Sequence, residues 1–191
     1  MMAQATLATM GHLQRHRGHF LNWYDTQTSL PLMPMYVSTV DSGNLSGHLL
    51  AVSQSCTELA LKQTDGSDLS PTDEDTVHRL LAVAATCERL AWESDFSFLY
   101  HPKRHLFHIG YRVAEQKLDA GFYDLLASES RLTSLLAIAK GDVPVRHWAA
   151  LGRPFFTAGS VPGLRSWAGS MFEYLVPTRP VAGCGTRGSG Y

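Results

Sequence analysis

Residues 36–49 read YVSTVDSGNLSGHL and hold the strongest fold signal in the chain. An apolar, strand-like start passes through small polar residues into apolar positions spaced near the helical period, which predicts a helix over 42–62. One helix N-terminus needs one side-chain cap, because only its first few N–H groups lack partners within the helix. This stretch offers more polar candidates than a cap requires, namely Ser38, Thr39, Asp41, Ser42 and Asn44.

The bulk composition is that of a globular protein. The chain has 191 residues, of which 45% are hydrophobic, and a formal net charge of −1, so no electrostatic footprint for nucleic acid is present. The three cysteines are odd in number and widely spaced, which fits neither a disulfide framework nor a zinc site. No signal peptide is visible, and no apolar run reaches the roughly 18 to 20 residues that cross a bilayer. We expect a cytoplasmic chain with no membrane segment, no nucleic-acid partner and no cofactor.

Further periodic segments predict a mainly helical protein. A second helix begins at Ser70, where a Ser-Pro pair is followed by acidic residues, and it ends near Asp95. Another helix is predicted over 123–142, because Lys140 and then Gly141 are typical of a helix C-terminus. A short helix follows Pro144.

The clearest β signal lies between these helices. Aromatic-rich runs flank HPKRH at 101–105, and they predict two short strands joined by a turn, with alternation along 96–100 in the first. Residues 153–167 read as a loop, and residues 168–177 as the first turns of one more helix. The last stretch, 178–191, has no periodicity and is predicted to be disordered.

Two carboxylates are candidate catalytic residues. Asp41 lies at the predicted helix entrance among small residues that leave room for a ligand, and a capping role is the alternative. Glu173 lies among aromatic residues, whose rings would desolvate the carboxyl, raise its pKa and suit it to act as a general acid. An exposed helical glutamate is the alternative. We predict a structural role for Glu129, paired with Arg131 or a neighbour.

Several aromatic residues stand beside polar or glycine residues, which favours a carbohydrate ligand, because sugar rings pack their C–H faces on aromatic platforms. Ordinary core packing is the alternative. Glycoside chemistry requires two carboxylates flanking one bond, and Asp41 and Glu173 are the pair that the sequence offers. The histidines at 101–108 are too loosely spaced to predict a metal site. The predicted platforms are Trp23, Tyr24 and Trp167.

Five blocks together resemble the glucoamylase-like middle region of the cyclic β-1,2-glucan synthase family. They follow one another in order, and the resemblance covers residues 10–177. The blocks are RHRGHFLNWYDTQT (15–28), YVSTVDSGNLSGHL (36–49), DFSFLYHPKRHLFHIGYRV (95–113), FYDLLASESRLTSLLAIAKGDVPVRHWAALGRPF (122–155) and GLRSWAGSMFEYLVP (163–177).

The resemblance implies a fold and a function. The family's middle region is similar to (α/α)6-toroid glycoside hydrolases, so a partial toroid with one short β-hairpin is expected. In the large synthases, which are inner-membrane proteins of Gram-negative bacteria, a glycosyltransferase part elongates the glucan and this region cyclises it by transglycosylation. The matching acidic positions are Asp41 and Glu173, with no division into nucleophile and acid/base. The implied partners are β-1,2-glucan and the remainder of the parent synthase.

Residues 1–177 are thus predicted to form a partial glucoamylase-like domain. Residues 178–191 depart from the family pattern, as a frameshift or truncated reading frame would produce, and about half of the toroid would then be missing. We therefore expect the isolated chain to have little or no transglycosylase activity. The alternatives are a non-catalytic carbohydrate-binding or scaffold relic and an unfolded product of a broken gene. Possible partners for sugar hydroxyls are Asn44, His48 and Arg112.

Overall fold

The computed structural model of the chain describes residues 2–64, 70–171 and 173. Helices are the longest elements in this part of the chain, so the predicted mainly helical fold is confirmed. Met171 and Glu173 lie in a further helical turn, while the predicted tail at 178–191 lies outside the described residues. The helices are α1 (Met2–His12), α2 (Thr39–Thr64), α3 (Pro71–Glu93), α4 (Arg131–Lys140) and α5 (Arg146–Ala150).

Helix α2 starts at Thr39, three residues before the predicted start at residue 42. It starts earlier because Ser38 acts as its N-cap. The Ser38 hydroxyl accepts a hydrogen bond from the Asp41 backbone N–H at 3.2 Å. The Thr39 hydroxyl donates to the backbone carbonyl of His108 at 2.7 Å. Within the polar cluster, Ser38 therefore caps the helix, and Thr39 binds the helix to strand β5 (Leu106–His108).

Helix α3 confirms its sequence signal in detail. Ser70 is the N-cap, its side chain accepts from the Asp73 backbone, and the Asp73 side chain accepts from the Ser70 backbone, which completes a capping box. The helix ends at Glu93, close to the predicted end. It packs against α2 through a small apolar cluster formed by Leu49, Val83, Cys87, Leu90 and Ala91.

The β structure is more extensive than the single predicted hairpin. Ten short strands form four small antiparallel sheets in the described residues. The predicted loop at 153–167 is wrong, because 155–164 forms a hairpin that turns at Gly159, where φ is +65°. The sheets are β1 (Arg15–His16) with β2 (His19–Phe20); β3 (Tyr36–Ser38) with β6 (Gly110–Arg112) and β7 (Lys117–Leu118); β4 (Tyr100–His101) with β5 (Leu106–His108) and β8 (Phe122–Tyr123); and β9 (Phe155–Ala158) with β10 (Val161–Leu164).

The predicted hairpin around HPKRH is confirmed as β4 and β5, but the strand predicted over 96–100 is wrong for most of its length. Ser97–Leu99 forms a 3-10 turn instead. The Asp95 carboxylate accepts hydrogen bonds from both the backbone and the hydroxyl of Ser97, and this local bonding competes with an extended backbone. Only Tyr100 and His101 remain in the strand.

Helix α4 is shorter than predicted at its N-terminal end. The helix is predicted to begin at residue 123, but Tyr123 lies in strand β8, where it pairs with Phe107 of β5. The chain then turns, and α4 begins at Arg131. The Ser130 backbone N–H donates to the Ser128 hydroxyl at 3.2 Å within this turn. The C-terminal signal is confirmed, because Gly141 caps α4 with a left-handed φ of 87°.

Close packing of α2 against α4 positions the first turn of α2. A Cβ added at Gly43 would lie 1.9 Å from Thr133 Oγ1 and 2.6 Å from its Cα, so only glycine permits this approach. The Thr133 hydroxyl also donates to the Thr39 carbonyl at 3.2 Å. Behind this contact lies the main apolar core, which consists of Leu21, Val37, Phe96, Leu99, Phe107, Ala137 and Val143.

Candidate functional site

Asp41 opens into a cavity of about 360 Å³ at the start of α2. Because Ser38 supplies the cap, the Asp41 carboxylate is not used for capping, and it accepts a long hydrogen bond of 3.5 Å from the Asn22 side chain. The capping alternative for Asp41 is therefore excluded. The cavity is lined by Phe20, Leu21, Asn22, Trp23, Asp41, Ser42 and Leu45.

Glu129 lies in the turn before α4 and is half-buried. Burial raises the pKa of its carboxyl, and the negative charges of Asp41 and then Glu173 raise it further. The two carboxylates predicted from the sequence are therefore both within electrostatic range of a third. Among the ion pairs of the described residues, none joins Glu129 to the predicted partner Arg131.

The sequence analysis gave Glu129 a structural role because a glutamate beside an arginine is typical of a surface ion pair. The available signal was the surrounding segment at 127–130, which reads ASES. Small neighbours leave space around a carboxyl group, and a turn before a helix is a common place for functional side chains.

Unlike Glu129, Glu173 is surrounded by hydrogen-bond donors, and it forms a capping box with Ser170. Its carboxylate accepts from the Ser170 backbone N–H at 3.1 Å, from the Ala168 N–H at 3.1 Å and from the Ser166 hydroxyl at 3.1 Å. Desolvation alone would raise the pKa of Glu173, but these hydrogen bonds outweigh it and lower the pKa below its ordinary value. The predicted raised pKa of Glu173 is thus wrong, because backbone donors rather than aromatic rings surround the carboxylate.

Tyr123 connects the acidic residues to an exposed aromatic surface. Its ring stacks on Trp167 with centroids 5.4 Å apart and planes 9° apart. Burial raises the pKa of the Tyr123 phenol, and the charges of Glu129 and Asp41 add to this. These effects favour the protonated phenol of Tyr123.

The three predicted aromatic platforms differ in their surroundings. Trp23 is 51% exposed and lines the cavity that contains Asp41. Trp167 is 47% exposed, and its indole N–H donates to Asp124 at 2.7 Å. Tyr24 is instead half-buried, and its hydroxyl is used within the fold, where it donates to the Gln14 carbonyl and accepts from the Leu21 N–H.

The three residues predicted to bind sugar hydroxyls differ in exposure and in their contacts. Arg112 is half exposed and pairs with Asp119 at 3.3 Å. His48 is exposed on α2, with Nδ1 2.6 Å from the backbone carbonyl of Asn44. The Asn44 side-chain oxygen is buried and has no hydrogen-bond partner within the described residues. Neither Asn44 nor His48 is hydrogen-bonded to the three carboxylates in the part of the chain that the structure describes.

The three carboxylates do not form a metal site. Among residues 2–64, 70–171 and 173, no group of three or more histidine, cysteine, aspartate or glutamate side chains is arranged to hold a metal ion. The pKa values of the two glutamates are instead shifted in opposite directions, upward for Glu129 and downward for Glu173.

Within the same ranges, no helix combines the length and the apolar character needed to span a bilayer.

The fold and this site define a mainly helical protein with an acidic surface flanked by exposed tryptophans. The chain is 34% identical to cyclic beta-(1,2)-glucan synthase NdvB of Rhizobium meliloti (strain 1021) over 282 residues, covering 91% of this chain and 10% of that protein. The relationship to cyclic β-1,2-glucan synthase that the sequence blocks predict is therefore confirmed. No protein-family model matches the sequence.

The chain spans about a tenth of the length of this relative. The matched span of 282 residues is also longer than the whole 191-residue chain. The relative therefore carries residues inside the matched span that have no counterpart here.

Proposed function

We propose that this chain carries the acidic centre of the cyclising region of a cyclic β-1,2-glucan synthase, which acts on linear β-1,2-glucan by transglycosylation. The observation that carries the proposal is the grouping of Glu129 with Asp41 and Glu173, in which burial and like charges raise the pKa of Glu129 while hydrogen bonds lower that of Glu173. Carboxyl groups whose pKa values are driven apart are the usual means of providing an acid and a base at one pH.

In the proposed reaction, Glu129 is the general acid. Its proton passes to the glycosidic oxygen as the bond from that oxygen to the anomeric carbon breaks, and the Asp41 carboxylate forms a bond to the same carbon. A hydroxyl group of the glucan then attacks that carbon, releases Asp41 and returns a proton to Glu129. When the attacking hydroxyl belongs to the same glucan chain, the product is a ring.

Asp41 suits the role of nucleophile better than Glu173 does. The Asp41 carboxylate is exposed to the cavity and, among the described residues, accepts a single long hydrogen bond, from Asn22. The Glu173 carboxylate accepts several hydrogen bonds, which lower its nucleophilicity together with its pKa. We assign to Glu173 the role of a fixed negative charge that keeps Glu129 protonated.

We also propose that the described helices are part of an (α/α)6 toroid of the glycoside-hydrolase type. The antiparallel pair α2 and α3 supports this, because it leaves Leu59, Leu61 and Leu81 exposed, as expected of helices that lie against further helices. The remainder of an inner-membrane synthase is the proposed partner. Since the relative carries more residues within the matched span than this chain has, we expect little or no turnover by the isolated chain.

The first test compares binding with turnover by the purified chain. We expect linear β-1,2-glucan to bind, a β-1,3-glucan of equal length to bind at least tenfold more weakly, and mass spectrometry to detect no cyclic product. Absence of β-1,2-glucan binding would contradict the proposed substrate. Measurable cyclisation would contradict the expected inactivity.

The second test addresses the chemistry in the synthase relative, where the residue at the position that aligns with Glu129 is changed to glutamine. We expect cyclic product to fall by about two orders of magnitude or more while linear glucan still accumulates, as for loss of a general acid. Retained cyclisation would instead favour the alternative function, a non-catalytic carbohydrate-binding or scaffold role for this part of the chain.

A further inference from the structure

A second cavity of about 390 Å³ is lined by Trp167 and shares no lining residue with the one at Asp41. Its volume is within the range of about 300–1,000 Å³ that is typical of ligand pockets. It combines an aromatic ring with one acidic and one basic side chain. The lining residues are Asp124, Leu125, Pro154, Arg165, Ser166 and Trp167.

Trp167 is fixed in position although it is half exposed. One face of its indole ring is covered by Tyr123, and its N–H donates to Asp124 at 2.7 Å. Both contacts restrict rotation of the side chain before any ligand binds. An aromatic surface fixed in this way loses little conformational entropy when a sugar ring stacks on it.

The polar residues around this ring match sugar hydroxyls. Asp124 and Arg165 are both exposed and line the same cavity, so a carboxylate acceptor and a guanidinium donor stand beside the indole ring. An aromatic platform with a few polar groups at its edge is the arrangement that binds the C–H face and the hydroxyl groups of a sugar.

Carboxylates at both cavities act electrostatically on Glu129. Asp41 lines the first cavity, and Ser166 of the second donates a hydrogen bond to Glu173. The charges of both Asp41 and Glu173 act on Glu129. Each of the two carboxylates that act on Glu129 is thus associated with a tryptophan-lined cavity: Asp41 lines the first, and Glu173 is hydrogen-bonded to a residue of the second.

We propose that the cavity between Trp167 and Arg165 is a second glucan subsite, so that one glucan segment binds at Trp23 and another at Trp167. This inference rests on the proposed function and adds the requirement that transglycosylation places on it. Hydrolysis needs only water as the acceptor, whereas ring closure needs the far end of the glucan to be held beside the reacting carbon. The second subsite holds that acceptor segment.

The test follows the indole N–H signals of the four tryptophans by ¹⁵N NMR while a linear β-1,2-linked glucose oligosaccharide is added to the full chain. We expect the signals of Trp23 and Trp167 to shift and saturate. Trp92 is the matched control, because it is 36% exposed on α3 and lines neither cavity. Its signal should not move.

The outcomes separate this inference from the proposed function. A shift at Trp23 without one at Trp167 overturns the second subsite and leaves the proposed function intact. No shift at either residue contradicts the proposed function itself. Equal shifts at Trp92 and Trp167 indicate nonspecific binding and also overturn the second subsite.

Arg165→Ala provides an independent check, because its side chain is exposed and its loss leaves the Trp167 stacking in place. We expect the affinity measured at the Trp167 signal to fall about tenfold, equivalent to one lost charge-assisted hydrogen bond, while the affinity at Trp23 stays the same. Unchanged affinity at both tryptophans in a folded Arg165→Ala chain overturns the assignment.

Discussion

Glu129 and Glu173 lie in neighbouring parts of the molecule, but their carboxyl groups are held in different ways. Glu129 is half-buried, and the charges of Asp41 and Glu173 that act on it are negative. The segment around Glu173 points backbone and hydroxyl donors at the carboxylate. The same side chain is thus driven toward the acid form in one place and toward the carboxylate form in the other.

This difference shows that burial alone does not decide the protonation state of a carboxyl group. Desolvation acts on both glutamates, yet the pKa of Glu129 is raised and that of Glu173 is lowered. The number of donors aimed at each carboxylate decides the outcome.

Gly43→Ala is expected to have the largest effect, because it breaks the approach of α2 to α4 that holds Asp41 near Glu129. The new Cβ would overlap the Thr133 side chain and lie 2.6 Å from its Cα, which cannot yield as a flexible side chain would. We expect the free energy of unfolding to fall by about 3 kcal/mol in urea denaturation.

Gly11→Ala in α1 is the matched control. Nothing lies within 4 Å of its added Cβ, so the unfolding free energy should stay the same or rise by up to about 1 kcal/mol. A Gly43→Ala chain as stable as the Gly11→Ala chain would contradict the described contact.

Glu173→Gln tests the hydrogen-bonded side of the comparison. Loss of the charge-assisted capping box is expected to reduce stability by about 1 kcal/mol at pH 7. The folded pKa of Glu173 lies below its ordinary value of 4.5, so its stabilisation is present above pH 4.5 and is lost as the pH falls through the folded pKa. Thermal unfolding at pH 7 and pH 3 measures the difference, and an unchanged Tm at pH 7 would refute the capping role.

Glu129→Gln should change stability in the opposite direction and by a smaller amount. The folded pKa of Glu129 lies above its ordinary value of 4.5, so the wild-type chain loses stability as the pH rises above 4.5, and glutamine avoids this loss. We expect the variant to have a higher Tm than the wild-type chain at pH 7 and an equal Tm at pH 3. A lower Tm at pH 7 would show that the charge of Glu129 stabilises the fold.

Asp41→Asn should have the smallest effect on stability, because the Asp41 side chain is exposed. It removes one of the two negative charges that raise the pKa of Glu129, so that pKa should fall toward its ordinary value. Carboxyl ¹³C NMR measures this shift directly. Asp75→Asn is the control, because its carboxylate is also exposed and pairs with Arg79 on α3, and it should leave the pKa of Glu129 unchanged.

Much of the helical framework could be predicted from the sequence, because its signals are local. The capping box at Ser70 and the C-terminal signal at Gly141 depend on residues within one turn, and both are confirmed. The catalytic roles of the candidate residues stay predictions. Asp41 was identified from excess polar residues, but the environments of Glu129 and Glu173 depend on contacts between distant segments and on backbone donors, which residue types alone do not reveal.

The most direct test of the central claim is a ¹³C NMR titration of the glutamate carboxyl groups in the folded chain, assigned with the Glu129→Gln and Glu173→Gln variants. We predict that Glu129 titrates above 4.5 and Glu173 below it. A Glu129 carboxyl that titrates at the same pH as Glu173, or lower, would contradict the assignment of Glu129 as the acid.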